Sequence, residues 1–297
     1  MHYALGPMPG TSMHEAAEVI DGECSIHTVP LLPERGLGSD LIGRTAGLLP
    51  FHVEAGPRAW QLVQRPQLLT RRVWDRLEED LDICEEMWGS CETVKVQVAG
   101  PWTLAAAIEL NGHRAITDRG AVRDIFAGLQ HGVEEHIADL KRRFGGEVLV
   151  QVDEPLLGAV MRGELPGTHK WEEIPAIPEP ELYTGDILHV AEPIFAAPHI
   201  FLNRDLIRGN AILDQFGSFV GNGGRVGLGI KPALIDELGE NPRACAIDLA
   251  KLWDELGLAR ESLAQVDVYP VGVEKPAEAL RFARVVGEML ERDAGDL

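Results

Sequence analysis

The stretch GGEVLVQVDEPLLGAV, residues 145–160, joins a short apolar run to two acidic residues and a proline. Its first part, VLVQV, is rich in β-branched residues, which is typical of a strand buried on both faces of a parallel sheet. Asp153 and Glu154 follow at the carboxyl end of this strand, and Pro155 suits the first position of a helix. Parallel α/β folds bind ligands at that end of their strands. The stretch therefore predicts a ligand site, with an aspartate that only caps the next helix as the alternative.

Similar buried runs recur along the chain, with helical patterns between them. Upstream, TVKVQVAGP alternates and stops at a Gly-Pro turn that leads into the apolar helix TLAAAIEL, residues 103–110. Helical spacing also marks residues 67–87, residues 118–144 in two parts, and residues 245–256 and 277–290. Further strands are predicted at residues 187–191, 199–207, 225–234 and 265–276. An opening strand at residues 3–6 and an extended piece near Ile26 bring the count to about eight.

This alternation of strand and helix predicts an α/β protein. The expected architecture is a single (β/α)8 TIM barrel that spans residues 1–297 as one domain, with loop insertions at its carboxyl-terminal face. The polar, proline-rich residues 163–186 form one such insertion.

Two local patterns add predictions outside the strands. The glycine-rich segment RGLGSDLIGRT, residues 35–45, predicts a loop over a ligand or an irregular connection. Asp40 and Arg44 are expected to pair with each other, with contact to a substrate as the alternative. His131 and His136 stand among charged residues, which predicts that both are solvated.

The composition limits the possible partners. A net charge of -20, from 47 acidic and 27 basic side chains, argues against nucleic acid, whose phosphates need a basic surface. No apolar run reaches the roughly 20 residues that cross a bilayer, so no membrane partner is expected. The opening residues MHYALGPMPG lack the pattern of an export signal, which predicts a cytoplasmic protein. Nothing in the sequence predicts the oligomeric state.

Three stretches occur in an informative order: ALGPMPGT at residues 4–11, VAGPWTLAAAI at residues 98–108 and VQVDEPLL at residues 150–157. Together they resemble the catalytic barrel of cobalamin-independent methionine synthase, a family related to uroporphyrinogen decarboxylase. The resemblance is to a short form without the family's amino-terminal barrel. It implies methyl transfer from methyltetrahydrofolate or another donor to homocysteine or a similar small thiol, with zinc and without cobalamin.

The resemblance also implies substrate contacts. Asp153 matches the carboxylate that holds the amino group of homocysteine. The backbone of Leu5, Gly6 and Pro7 matches the loop that holds its carboxylate. Lys231 falls near the position of the proposed proton-donating histidine, and His189 matches a zinc ligand, so these two are the implied catalytic residues.

The zinc ligands implied by the resemblance are largely replaced. The His-x-Cys motif reads His189-Val190-Ala191, and the cysteine of Pro-x-Cys-Gly is Val271. The family's glutamate falls near Asn203 to Asp205, where Asp205 could serve as the ligand. Zinc sites use three or four protein ligands, so His189 is expected to be a lone remnant and no zinc is expected. A substitute set of His189, Glu192 and His199 stays open.

The folate end of the family's site is also altered. Ala159 replaces the glutamate associated with the pterin ring, and the stacking tryptophan expected near Ala107 is absent, although Trp102 lies close by.

Two classes of function therefore remain open. One is a methyltransferase that acts on a small thiol or amino acid, which leaves the enzyme assignment uncertain. The other is a non-catalytic or regulatory barrel that binds a homocysteine-like or methionine-like molecule. An enzyme of the uroporphyrinogen decarboxylase type is a weaker third, because an acidic surface suits a polycarboxylate poorly.

Overall fold

The structure, a computed structural model, describes residues 2–56, 58, 60–183, 185–231, 241–272 and 274–297. In chain order, its strands are β1 (His27–Thr28), β2 (His52–Ala55), β3 (Trp60–Val63), β4 (Thr93–Ala99), β5 (Ile108–Leu110), β6 (His113–Arg114), β7 (Glu147–Glu154), β8 (Ile187–Val190), β9 (His199–Asn203), β10 (Arg225–Ile230) and β11 (Asp267–Pro270). The helices are α1 (Met13–Glu23), α2 (Leu41–Ala46), α3 (Leu68–Trp88), α4 (Pro101–Ala107), α5 (Arg119–Phe144), α6 (Leu157–Arg162), α7 (Asn210–Gly221), α8 (Pro242–Glu255) and α9 (Pro276–Arg292).

One sheet dominates the fold. Seven strands pair in the order β1-β4-β7-β8-β9-β10-β11, and each pair is parallel. The sheet curls into a half-barrel flanked by helices. The α/β prediction is thus confirmed, whereas the seven-stranded sheet is not by itself a closed barrel. The predicted continuation of β10 over residues 232–234 lies outside the described residues.

The two faces of the sheet carry different side chains because residues alternate along each strand. Val150 and Val152 of β7 belong to the large apolar core that the sheet shares with the helices. Gln151 and Asp153 lie on the opposite, concave face. A second apolar cluster fills that face, made of Tyr3, Ile26, Ile187, Phe201 and Tyr269.

The opening segment of the chain, residues 2–8, lies between the two edges of the sheet. Tyr3 N donates to Val268 O over 3.1 Å on one side, and Met8 N donates to Leu31 O over 2.8 Å on the other. Each contact belongs to an isolated parallel bridge. A continuous ladder with β11 cannot form because Pro270 has no N–H to donate.

Polar side chains of the concave face supply the contacts that the ladder lacks. Lys95 Nζ donates to Ala4 O over 3.0 Å and to Leu5 O over 3.1 Å. Gln151 Nε2 also donates to Leu5 O, and Thr28 Oγ1 donates to Ala4 O. We call this junction of residues 2–8 with residues 28–31 and 268–270 the seam; side-chain hydrogen bonds hold most of it together.

The long helices follow the predicted spacing, with one correction. In α3, the face marked by Val73, Leu77 and Cys84 is buried. The pattern of residues 118–144 forms one continuous helix, α5, which Asp118 caps and Gly145 ends in a left-handed conformation. His131 is exposed as predicted. The prediction for His136 is wrong, because its side chain is buried against neighbouring elements of the core and only 6% exposed.

The glycine-rich segment 35–45 is more regular than predicted. It contains α2, which Asp40 caps by accepting from Gly43 N over 2.9 Å. Arg44 pairs instead with Asp80 of α3 at 3.2 Å. The predicted Asp40–Arg44 pair is therefore wrong, since the capping carboxylate is already in use.

A second, smaller sheet had no counterpart among the predictions. Its order is β2-β3-β5-β6, with β2-β3 and β5-β6 antiparallel and β3-β5 parallel. Its strand β5 continues directly from α4, where the apolar spacing predicted more helix. Strands of two to four residues offer too few positions for alternation to be recognised.

The proline-rich connector, residues 163–186, is irregular as predicted. Its described residues contain one isolated bridge, between Pro166 and Glu173. Among the helices of the described ranges, none has both the length and the apolar character needed to cross a membrane.

Candidate functional site

A cavity of about 410 Å³ opens at the carboxyl ends of β8, β9 and β11, next to the opening segment. Most of its lining is apolar, and His189, Asn203 and Tyr269 contribute its polar side-chain groups. The lining residues are Ala4, Leu5, Pro7, Met8, His189, Val190, Ala191, Asn203, Leu206, Tyr269, Pro270, Val271, Gly272 and Leu280.

His189 lines the cavity and is hydrogen-bonded to Asp153, which lies outside the lining. The two residues are register partners on β7 and β8, and Asp153 Oδ1 lies 2.9 Å from His189 Nδ1. Gln151 Nε2 donates to the same oxygen over 2.7 Å. An ionised aspartate only accepts hydrogen bonds, so Nδ1 carries the proton and the lone pair is on Nε2. His189 can therefore accept a proton from a bound molecule through Nε2.

Aromatic rings fix the position of His189. The Tyr269 ring lies edge-on to the imidazole at 6.1 Å between centroids and stacks on Phe201 at 5.3 Å. Burial raises the pKa of the Tyr269 hydroxyl, with the negative Asp153 as a second cause. Tyr269 thus stays protonated and acts as a wall of the cavity.

The residues that replace the family's implied zinc ligands share this cavity. Ala191, Asn203 and Val271 line it together with His189. The side chains of Ala191 and Val271 have no donor atom, so the described lining does not fit a zinc ion.

Asp205 and Lys231 pair with each other outside the cavity lining. Lys231 Nζ donates to Asp205 Oδ2 over 2.5 Å, and Arg208 lies 3.1 Å from the other oxygen. The hydrogen bond from Lys231 lowers the pKa of Asp205. The structure does not bring either residue to the cavity, although each was expected near the site.

The substitute ligand set is wrong, because its members lie apart. Glu192 forms an ion pair with Arg162 of α6. His199 begins β9, at the end of the sheet opposite to the cavity, and contacts Asp267 at 2.9 Å. Only His189 of the set lines the cavity.

The opening loop, for which the resemblance implied a substrate contact, borders the cavity. Leu5 and Pro7 line the cavity. Gly6 has φ +140°, and a Cβ there would lie 2.4 Å from the Gln97 side chain, so only glycine fits. The carbonyl of Gly6 accepts from Leu31 N over 3.0 Å and is therefore engaged within the seam.

Glu154 points to the other face of β7 and contacts the second quoted motif. Its carboxylate accepts from Trp102 N over 3.0 Å and from Thr103 N over 2.8 Å and Thr103 Oγ1 over 2.6 Å. Gly100 makes room, because a Cβ there would lie 2.2 Å from the carboxylate. The alternative prediction was that Asp153 caps the helix that follows it. The capping residue is instead Glu154, and the helix that it caps is α4. Burial raises the pKa of Glu154 to about 7.

The positions expected at the folate end lie away from the cavity. The Trp102 indole donates to Glu181 O over 2.7 Å and packs edge-on against Phe126. Ala159 belongs to α6 and Ala107 ends α4. The described cavity lining includes none of these three residues.

Gln151 and Tyr269 support the site but had no predicted role. The position of Gln151, two residues before Asp153 on one strand, placed both side chains on one face. That signal was available in the sequence. The contact of Tyr269 with His189 joins distant strands, and no local pattern predicts it.

Known proteins provide no assignment for this site. No family profile matches the chain, and no curated protein matches it significantly. The functional assignment therefore rests on the geometry of the cavity.

Proposed function

We propose that the chain binds a small thiol of amino-acid size in this cavity, and that His189, oriented by Asp153, accepts the thiol proton. The observation that carries the proposal is the 2.9 Å contact between Asp153 and His189 at the wall of a mainly apolar cavity. A base that is held in one tautomer beside a low-polarity space suits proton transfer from a bound molecule.

The size of the cavity supports a compact ligand. A volume of about 410 Å³ lies near the lower end of the range for ligand sites, roughly 300 to 1,000 Å³. Its polar side-chain groups, from His189, Asn203 and Tyr269, could satisfy only a few polar groups of a ligand. A thiol with a short apolar body fits such a lining better than a pterin ring or a polycarboxylate does.

Thiol activation is the step that the site would supply. A free thiol has a pKa of about 8.5, and the thiolate is the nucleophile. Transfer of the thiol proton to His189 Nε2 leaves an imidazolium, which the negative Asp153 stabilises. In the methionine synthases that the chain resembles, zinc activates the thiol. We infer a metal-independent relative, in which methyl transfer from methyltetrahydrofolate or another donor, held outside the cavity lining, is a proposed second step. The thiolate sulfur would bond to the methyl carbon as the bond from that carbon to the donor's nitrogen breaks, and the leaving amine would take up the proton that His189 Nε2 holds.

A non-catalytic binding barrel is the second candidate. The observation in its favour is that Ala191 and Val271 make the cavity apolar where the resemblance implies zinc-binding thiolates. Such a protein would bind methionine as well as homocysteine, without forming a thiolate.

One titration distinguishes the two candidates. The untagged chain is titrated with homocysteine and with methionine by calorimetry, while ultraviolet difference absorbance measures thiolate. Thiol activation predicts a thiolate signal with homocysteine that His189→Gln abolishes, although binding persists. His131→Gln, at an exposed histidine, is the matched control.

The outcomes separate as follows. Binding of both amino acids without a thiolate signal would support the non-catalytic barrel. A thiolate signal that survives His189→Gln would contradict the role of His189. If neither homocysteine nor methionine binds at millimolar concentration, both candidates are contradicted.

We also propose that residues 2–8 act as the eighth strand and make the fold a (β/α)8 barrel of one domain. The bridges to Leu31 and Val268 on its two sides support this. Slow hydrogen exchange at the Tyr3 and Met8 amides, each of which donates to a neighbouring strand, would test it.

A further inference from the structure

A second group of ligating side chains lies far from the cavity in sequence. His113 of β6 approaches His169 and Glu172 of the connector, and one ligand atom from each lies within 4.8 Å of the others. None of these residues lines the cavity. The group therefore has no part in the proposed thiol chemistry.

Glu172 is held in position by its neighbours. Thr168 donates to Glu172 Oε2 through its hydroxyl over 2.7 Å and through its backbone N–H. The other oxygen, Oε1, lies 2.6 Å from His113 Nδ1. The hydrogen bonds from Thr168 are the main reason that the pKa of Glu172 falls to about 2, so the carboxylate is ionised.

Arg58, a cation whose charge interacts with that of Glu172, is already paired. The Arg58 guanidinium contacts both oxygens of Glu109, with Nη2 at 2.8 Å from Oε2, and it also donates to Gly112 O. Its positive charge is therefore compensated by a carboxylate other than Glu172.

We propose that His113, His169 and Glu172 bind a divalent metal ion of the zinc type and thereby tie the connector to the small sheet. Two imidazoles and one carboxylate are a donor set that zinc uses, with a water molecule in the fourth position. Tetrahedral zinc with bonds of about 2.0 to 2.2 Å needs ligand atoms roughly 3.3 Å apart. The side chains of His113 and His169 are exposed, so core packing does not hold either imidazole away from this spacing.

Thr168 would act as a positioning residue for this ion. By occupying Glu172 Oε2, its hydroxyl leaves Oε1 directed toward the two imidazoles. Groups that orient a ligand in this way typically affect metal affinity by 10- to 100-fold.

The test is zinc binding by the full untagged chain, measured by calorimetry after treatment with a chelator. We expect close to one zinc per chain, an affinity loss of about 100-fold or more in His113→Ala and in His169→Ala, and a smaller loss of about tenfold in Thr168→Val. His131→Ala, another exposed histidine that lies near a glutamate, should bind zinc as the unmodified chain does.

The location of the ion has its own readout. Trp171 stands between two of the ligands in the sequence, and its side chain is 83% exposed. Cu²⁺, which prefers the same donors and quenches indole fluorescence, should reduce the emission of Trp171 at one equivalent. Trp171→Phe should remove this quenching and keep the zinc stoichiometry.

The proposal fails if the unmodified chain binds no zinc, or if His113→Ala and His169→Ala bind zinc as tightly as it does. Copper quenching that persists in Trp171→Phe would place the ion elsewhere and overturn the assignment.

Discussion

At the scale of the residue, the spacing of two positions decides what Asp153 can do. Gln151 and Asp153 share one face of β7, and the amide of the first donates to the carboxylate of the second over 2.7 Å. The hydrogen bond from Gln151 thus holds the Asp153 carboxylate in place independently of its contact with His189. Asp153 is 5% exposed, so it acts through His189 rather than by direct contact with solvent.

We expect Asp153→Asn to weaken proton transfer to His189 without changing its tautomer. Gln151 Nε2 and His189 Nδ1 both donate to Asp153 Oδ1, so the asparagine oxygen takes that position and the imidazole proton stays on Nδ1. The negative charge that stabilises the imidazolium is lost, so thiolate formation should fall by roughly tenfold or more, while methionine binding is retained. Ultraviolet difference absorbance measures the thiolate. An unchanged thiolate signal would contradict the proposed role of Asp153.

The buried His136 should make stability depend on pH. Its pKa is lowered to about 4, first by burial and second by the positive Arg44. The unfolded chain binds this proton at about pH 6.5, so stability is complete above that value and is lost as the pH falls toward 4. The loss should total about 3 kcal/mol.

Urea unfolding between pH 4 and 7 measures this dependence. His136→Phe should remove the slope due to this group. His131→Phe, on the same helix but exposed, should keep it. Parallel slopes in the two variants would show that His136 is not the cause.

Zinc binding in the cavity should be recoverable. Ala191→Cys with Val271→Cys places two thiolates beside His189, which gives three ligands in one lining. Three such ligands suffice for a catalytic zinc site. We expect the double variant to retain zinc through gel filtration at the cavity, whether or not the His113 group binds an ion. Measuring it in the His113→Ala background separates the two sites.

At the scale of the element, one carboxylate connects a strand to a helix. Glu154 ends β7 and accepts from the first N–H groups of α4, which otherwise have no partner inside the helix. The two motifs that looked independent in the sequence are therefore one structural unit.

Glu154→Gln should destabilise the protein by about 1–3 kcal/mol at pH 5, because the amide brings two donor hydrogens, one more than the protonated carboxyl, to a site already surrounded by donors. The folded pKa of about 7 lies above the unfolded value, so the stability contributed by Glu154 is lost as the pH rises toward 7. The cost of the substitution should therefore shrink toward pH 8. Chemical unfolding at both pH values tests this, and a cost that grows with pH would contradict it.

At the scale of the whole molecule, the sequence predicted the parts of the fold that local patterns control. The strands of the large sheet and the helices α3, α5, α8 and α9 follow from periodicity. The small sheet escaped prediction because its short strands depend on distant partners. The location of the cavity was predicted in part, because residues 145–160 place Asp153 at the carboxyl end of a buried strand. The sequence did not show that Lys231 and Asp205 lie outside the cavity lining, because they form an ion pair with each other instead of facing the site.

The seam should depend on Gly6. Its φ of +140° and the Gln97 side chain both exclude a Cβ, so Gly6→Ala should disturb residues 2–8. Gly10→Ala is the matched control, because φ there is +83° and a Cβ would meet nothing within 4 Å. We expect Gly6→Ala to cost at least about 1–3 kcal/mol more than the control. Thermal unfolding measures the difference, and equal costs would contradict the proposed tight fit.

The seam also constrains the order in which the protein can assemble during synthesis. Residues 2–8 leave the ribosome early, yet Val268, which accepts from Tyr3 N, is made after almost the whole chain. The contacts of Lys95 and Gln151 with this segment already span 91 and 146 residues. Because translation produces Lys95, Gln151 and Val268 one after another, residues 2–8 can contact them only in steps. The segment made first is therefore the one that completes its contacts last.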